Sequence, residues 1–135
     1  MPGTPKMTYK FTNAIVRKPN KSIHNALSSQ YLHPSYEKIL EIHNNYITSI
    51  EDAGLNTILL ESLEQYPDSI FVEDPALIFK NNIIILNPSD FSRNGEAKII
   101  KNEISKYFEK IFVVEKGTIE GGDILNINNH FIIGL

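Results

Sequence analysis

Apolar and polar positions follow two rhythms along this chain. From Tyr36 to Ala53, the side chains of Tyr36, Ile39, Leu40, His43, Tyr46, Ile47 and Ile50 recur at spacings of three and four, which places them on one face of a helix. Ser35 before this run and Gly54 after it suit the start and stop of a helix. A second helix is predicted from about Gly95 to Lys110, with Ala97, Ile100, Ile104, Tyr107 and Phe108 inward. Shorter apolar runs predict strands at Tyr9–Val16, Thr57–Leu60 and Ile111–Val114. Residues 20–34 read as a polar loop. Ala76–Phe79 and Ile83–Leu86 flank Lys80-Asn81-Asn82, and Asp123–Ile127 and His130–Leu135 flank Asn128-Asn129. Asparagine tolerates positive φ, so both pairs predict hairpins.

The pattern repeats. Glu73 and Glu120 lie 47 positions apart, and Asn81-Asn82 and Asn128-Asn129 keep that offset, as do Ile84 with Phe131 and Ile85 with Ile132. An acidic residue precedes each hairpin, and strand, helix, strand is followed by hairpin, helix, strand. Repeated units of this kind pack side by side around a shared core. They would also bring their pre-hairpin carboxylates to equivalent corners.

Composition narrows the function. The chain has 135 residues, 41% of them hydrophobic and 21% charged, with a net charge of −3. That is enough for one domain with a real core, and it lacks the basic surplus expected of a nucleic-acid binder or a polybasic membrane anchor. With no cysteine the chain offers neither a disulfide nor a thiolate nucleophile. Met1–Lys10 lacks the apolar segment of a signal peptide, so the cytoplasm is the expected location. The sequence ends inside the apolar run Phe131-Ile-Ile-Gly-Leu135, where further chain or a partner is expected.

The densest chemical cluster is Asp68-Ser-Ile-Phe71-Val-Glu73-Asp74-Pro75. On an extended segment Phe71 and Glu73 would share a side and Asp74 would face away. A carboxylate beside an aromatic ring suits a planar cation: the acid accepts two N–H bonds from a guanidinium and the ring covers its face. Taken singly, these acids read as a solvated loop around an ordinary strand. Glu120-Gly121-Gly122-Asp123 is the second acidic site, and alone it reads as a glycine turn entering a hairpin. Convergence of Glu73 and Glu120 through the repeat would favour a cationic ligand or a divalent metal. Arg93, ahead of the second helix, is either a clamp for a carboxylate or a surface residue. Leu27 either closes over a ligand or anchors its loop. His24, His33, His43 and His130 show no metal-ligand spacing.

These residues resemble the dimethylargininase family within the guanidino-modifying pentein superfamily. The resemblance runs nearly end to end, through Phe11-Thr-Asn-Ala-Ile-Val-Arg17, Tyr36-Glu-Lys-Ile-Leu-Glu-Ile-His-Asn-Asn-Tyr-Ile47, Asp68-Ser-Ile-Phe-Val-Glu-Asp-Pro75, Ser92-Arg93, Glu120-Gly-Gly-Asp-Ile124 and Phe131-Ile-Ile-Gly134. The Asp68 placement and the long helix favour this branch over arginine deiminase. The resemblance implies an α/β fold, a partial propeller of repeated ββαβ modules. Residues 1–135 would form a single domain, the N-terminal part of a pentein-type catalytic domain, with about half of the full propeller. It implies that Asp68, Glu73 and Asp74 face the guanidino group, with Phe71 beside them. Arg93 would hold the substrate α-carboxylate, Leu27 would sit on a lid loop, and Glu120 would orient a catalytic histidine. It further implies hydrolysis of methylated arginine to citrulline through a covalent cysteine–histidine mechanism without metal or organic cofactor. The cysteine and histidine would lie in a missing second half, supplied in cis or in trans, so the 135-residue chain alone is expected to be inactive. A non-catalytic guanidino-binding module or an inactive remnant is the competing expectation, and a homo-oligomer stays open.

Overall fold

The computed structural model describes residues 11–28, 35–127 and 130–134. Strand β1 (Asn13–Arg17) leads through a short 3-10 turn at Lys21–Asn25 and helix α1 (Tyr36–Asp52) to β2 (Asn56–Leu60). The hairpin β3 (Ala76–Phe79) and β4 (Asn82–Ile85) precedes α2 (Glu96–Ile104) and β5 (Lys110–Val113). A second hairpin, β6 (Ile124–Ile127) and β7 (His130–Ile133), follows. The expected Asn128-Asn129 turn lies outside the described residues, as do Tyr9, Lys10, His33 and Leu135.

The strands form three small sheets, β1-β2, β3-β4-β5 and β6-β7. In the first two, the strand before a helix pairs parallel with the strand after it, Ile15 opposite Ile58 and Ile84 opposite Phe112. Parallel pairing needs such a crossover connection, and each helix supplies it. The α/β alternation read from the sequence is therefore present, and the described residues contain no closed sheet.

Burial follows the two periodicities. Ile83 and Ile85 point to one face of β4 and meet Ile100 and Ile104 of α2, together with Leu60 and Ala76. The α1 face is as expected at His43, which is buried, whereas Tyr46 is exposed. The hairpins refine the repeat. Ala76 and Ile124 open the first strands, and Asn82 and His130 the second strands, so the hairpins are related by 48 positions. The acids before them are 47 apart, because the second copy has one more residue between acid and strand. The first turn is Lys80-Asn81, with Lys80 and not an asparagine at positive φ (55°).

One boundary and one cap differ from expectation, each for a local chemical reason. Helix α2 stops at Ile104 and tightens into a 3-10 turn at Ser105–Tyr107, where the Ser105 hydroxyl donates back to the Lys101 carbonyl. Ser35 precedes α1 in extended conformation but makes no side-chain cap. Its hydroxyl donates instead to Glu37 Oε2 at 2.7 Å.

His43 joins α1 to β1 through the Arg17 backbone. Its enclosure holds its pKa below the usual histidine value, against that hydrogen bond, which favours the charged form. With a folded pKa below the unfolded one, His43 adds stability above the unfolded value of about 6.5, and this is lost as pH falls through the folded value. Urea unfolding of the wild type and of His43→Gln between about pH 7.5 and pH 5 should therefore converge toward acid. A stability difference independent of pH would show that His43 does not titrate differently on folding.

Candidate functional site

All seven residues singled out in the sequence border one cavity of about 410 Å³, whose wall is Leu27, Asp68, Phe71, Glu73, Asp74, Ser89, Asp90, Arg93 and Glu120. They arrive from four segments: the turn after β1, the loop before β3, the start of α2 and the loop before β6. The cavity edge carries five carboxylates and one guanidinium. Such an imbalance in a partly enclosed space favours a cation. Among the described residues no three His, Cys, Asp or Glu side chains cluster closely enough to hold a metal ion.

The acidic loop is a chain of turns, not the extended segment expected. The Phe71 amide donates to the Asp68 carbonyl at 3.0 Å and the Asp74 amide to the Phe71 carbonyl at 3.3 Å. This winding overturns the expected alternation: Glu73 and Asp74 line the same cavity instead of facing opposite ways. Beneath the loop, the fully buried Asn20 donates through Nδ2 to the Tyr66 carbonyl at 2.9 Å and to Ser69 Oγ at 3.1 Å. Asp68 is buried and receives the Leu27 amide on both oxygens, at 3.1 and 3.2 Å. That bond fixes the Leu27 backbone at the rim while its side chain stays exposed. Phe71 is also exposed, at 47%, so its ring is free to cover a ligand.

Arg93 is not a free surface clamp. It is 4% exposed, and all three of its nitrogens are engaged. Nε and Nη2 form a fork on Glu96 at 3.1 and 2.8 Å, Nη1 pairs with Asp74, and Nη2 also donates to the carbonyls of Phe71 and Asp68 at 3.1 and 3.3 Å. Burial opposes its charge, but the carboxylates of Glu96 and Asp74 outweigh burial and hold the guanidinium above its usual pKa. At Glu96 burial wins, and its carboxyl sits above the usual carboxylate range despite Arg93.

Glu120 is brought to the same place by backbone. The Asn87 and Ile119 amides and carbonyls pair reciprocally at 3.1 and 2.9 Å, and Asn87 Nδ2 donates to the Gly117 carbonyl at 2.7 Å. Beyond Glu120, the Gly121 amide donates to the Asp74 carbonyl at 3.0 Å. The two acidic loops thus touch, as the repeat predicted. Gly121 is needed for closeness, since a Cβ there would press into the Glu73 carbonyl.

Sequence reading missed Asn20, Ser69, Ser89, Asp90 and Glu96. Asp90 was findable: it accepts from the Ser92 amide at 2.8 Å and hydroxyl at 2.7 Å, the usual Asp-x-Ser turn, and the Ser92 bonds hold its carboxyl below the usual range. The other four carry no local signal.

No family model matches the chain. Among curated proteins it is 39% identical over 127 residues to a dimethylarginine dimethylaminohydrolase from Pseudomonas aeruginosa, covering 92% of this chain and 50% of that protein. Its fold superposes on a cysteine-to-serine variant of the Pseudomonas aeruginosa enzyme complexed with citrulline, with a TM-score of 0.89 and 38% identity over 94% of this chain and 51% of the other. The chain is a homologue of the dimethylarginine dimethylaminohydrolases. A histidine-to-glycine variant of such an enzyme, captured as an adduct with S-methyl-L-thiocitrulline, matches at a TM-score of 0.88 and 39% identity, with coverages of 93% and 51%. The chain spans about half the length of these dimethylarginine dimethylaminohydrolases.

Replacing Gly121 with Ala should cost about 1–3 kcal/mol, as expected for forcing a methyl into a filled space. Gly122→Ala, where the added methyl meets nothing within 4 Å, should stay within about 0.5 kcal/mol. Urea melts of the pair check this, and equal costs would show that the two acidic loops are not held in contact.

Proposed function

We propose that this chain forms the guanidino-gripping part of a hydrolase that converts methylated arginine to citrulline and a methylamine. One observation carries the reading: an exposed aromatic ring and five carboxylates border a single cavity, in a homologue of enzymes named for this reaction. Glu73, Asp74 and Asp68 accept N–H bonds from the planar guanidinium and keep it cationic, hence electrophilic at its central carbon. Phe71 covers the plane, and Leu27 closes the rim. Arg93 props Asp74 and the loop carbonyls from beneath. Any grip it has on the substrate α-carboxylate uses the remaining Nη1 hydrogen.

The covalent step needs groups outside this chain. A cysteine thiolate attacks the guanidinium carbon, the C–N bond to the methylated nitrogen breaks, and a histidine protonates the departing amine. Water then adds to the same carbon, the histidine takes its proton, and the C–S bond breaks to release citrulline. Glu120 orients the imidazole. In this reading the strands continue beyond β7 into further ββαβ modules of a propeller, the substrate is met in the cytoplasm, and the present residues alone are inactive. A second reading is a guanidino-binding module without turnover.

The test is citrulline release from dimethylarginine by the polypeptide expressed from its whole reading frame, beside residues 1–135 alone. Turnover is expected only from the former. Glu73→Gln there should lower kcat/KM by about a hundredfold or more, as loss of a charged hydrogen bond to the reacting group does. Turnover by residues 1–135 would refute the placement of the nucleophile. Tight binding without turnover in both would leave the binding module.

A further inference from the structure

The Arg93–Glu96 fork has an electrostatic consequence for the cavity. Glu96 does not border the cavity, is 3% exposed, and gives both carboxylate oxygens to Arg93. It is the first residue of α2, where a carboxylate is favoured by the helix N-terminus. Gly95 before it adopts positive φ (105°), and the Tyr66 hydroxyl occupies the position a Cβ would take. The carboxylate is thus held against Arg93 at the head of α2. One positive charge borders the cavity and five negative ones face it. Were Arg93 paired with Asp74 alone, it would cancel one of the five. Glu96 supplies the second negative charge to the guanidinium, so the cavity wall keeps its full excess.

We infer that Glu96 is a positioning residue that sets cation selectivity: it neutralises Arg93 from outside the cavity and leaves Asp74 electrostatically available to the ligand. The inference deepens the reading under Proposed function and rests on it. It names the ligand class that Glu96 discriminates, a guanidinium against its uncharged ureido counterpart. Arginine and citrulline make the needed pair. They share one amino-acid backbone, so any contact of Arg93 with the α-carboxylate cancels in their ratio, and only the charge at the far end differs. A residue that merely held the fold together would weaken both.

The experiment is calorimetric binding of arginine and of citrulline to the protein from its whole reading frame, wild type against Glu96→Gln, with kcat and KM for dimethylarginine measured in parallel. Glu96→Gln should weaken arginine binding by about tenfold and citrulline binding by less than about twofold. KM should rise while kcat changes little. Glu96→Asp, which keeps the charge on a shorter arm, should recover most of the arginine-to-citrulline preference even where overall affinity is lower. Should Glu96→Gln fail to fold, Glu96→Asp carries the test, and loss of preference in a folded Glu96→Asp overturns the inference. An unchanged preference in folded Glu96→Gln overturns it too, while leaving the guanidino reading intact. Wild-type protein that binds neither ligand overturns the guanidino reading itself.

Discussion

Arg93 ties the site to the fold. Its guanidinium reaches three carbonyl-bearing or acidic parts of the chain at once: the turns at Asp68 and Phe71, the carboxylate of Asp74, and Glu96 at the head of α2. A buried cation with several anionic partners is held rigidly, because each broken bond would leave a charge or carbonyl without compensation in a poorly solvated place. The loop it grips contains no regular secondary structure of its own. Its shape is therefore borrowed from α2, whose Ile100 and Ile104 are packed against β4. Chemistry at the cavity and packing in the core are connected through a single side chain.

A second arginine plays a parallel part toward the other end of α2. Arg17 of β1 is 2% exposed and forks onto Glu103 at 3.1 and 2.6 Å while donating to the Glu61 carbonyl at 2.7 Å. Its Nε has no partner among the described residues, a cost that the fork offsets. Helix α2 is thus anchored by ion pairs at its first and eighth residues, with apolar packing between them. Short helices gain little from intrinsic propensity, and this one depends on such external fixings.

Much of this was legible beforehand. The alternation of strand and helix, the two hairpins and most of the inward face of α1, Tyr46 excepted, follow from periodicity, since burial on one side imposes the rhythm directly. The cavity residues were found by chemistry and by the repeat: Asp68, Phe71, Glu73 and Asp74 are unusual in composition, and Glu120 stands out once its spacing from Glu73 is noticed. What escaped depends on contacts between distant segments. Asn20 is an ordinary polar residue until Ser69 and Tyr66 are folded onto it. Glu96 reads as one more solvated charge at a helix start, and nothing nearby shows that Arg93 will bury it. Likewise, the path of the Asp68–Asp74 loop is set by Arg93 and Leu27, so a strand-like alternation was the wrong template.

The hairpin pairings repeat at a spacing of 48, while the acids ahead of them keep 47. The hairpins therefore keep the internal spacing and the acidic loops do not. A chimera made by copying one module over the other would rebuild its strands, yet would carry its carboxylate one residue out of step with its own strand. The extra residue falls in the connection between acid and strand, where it leaves the hydrogen-bonded ladders of both hairpins untouched.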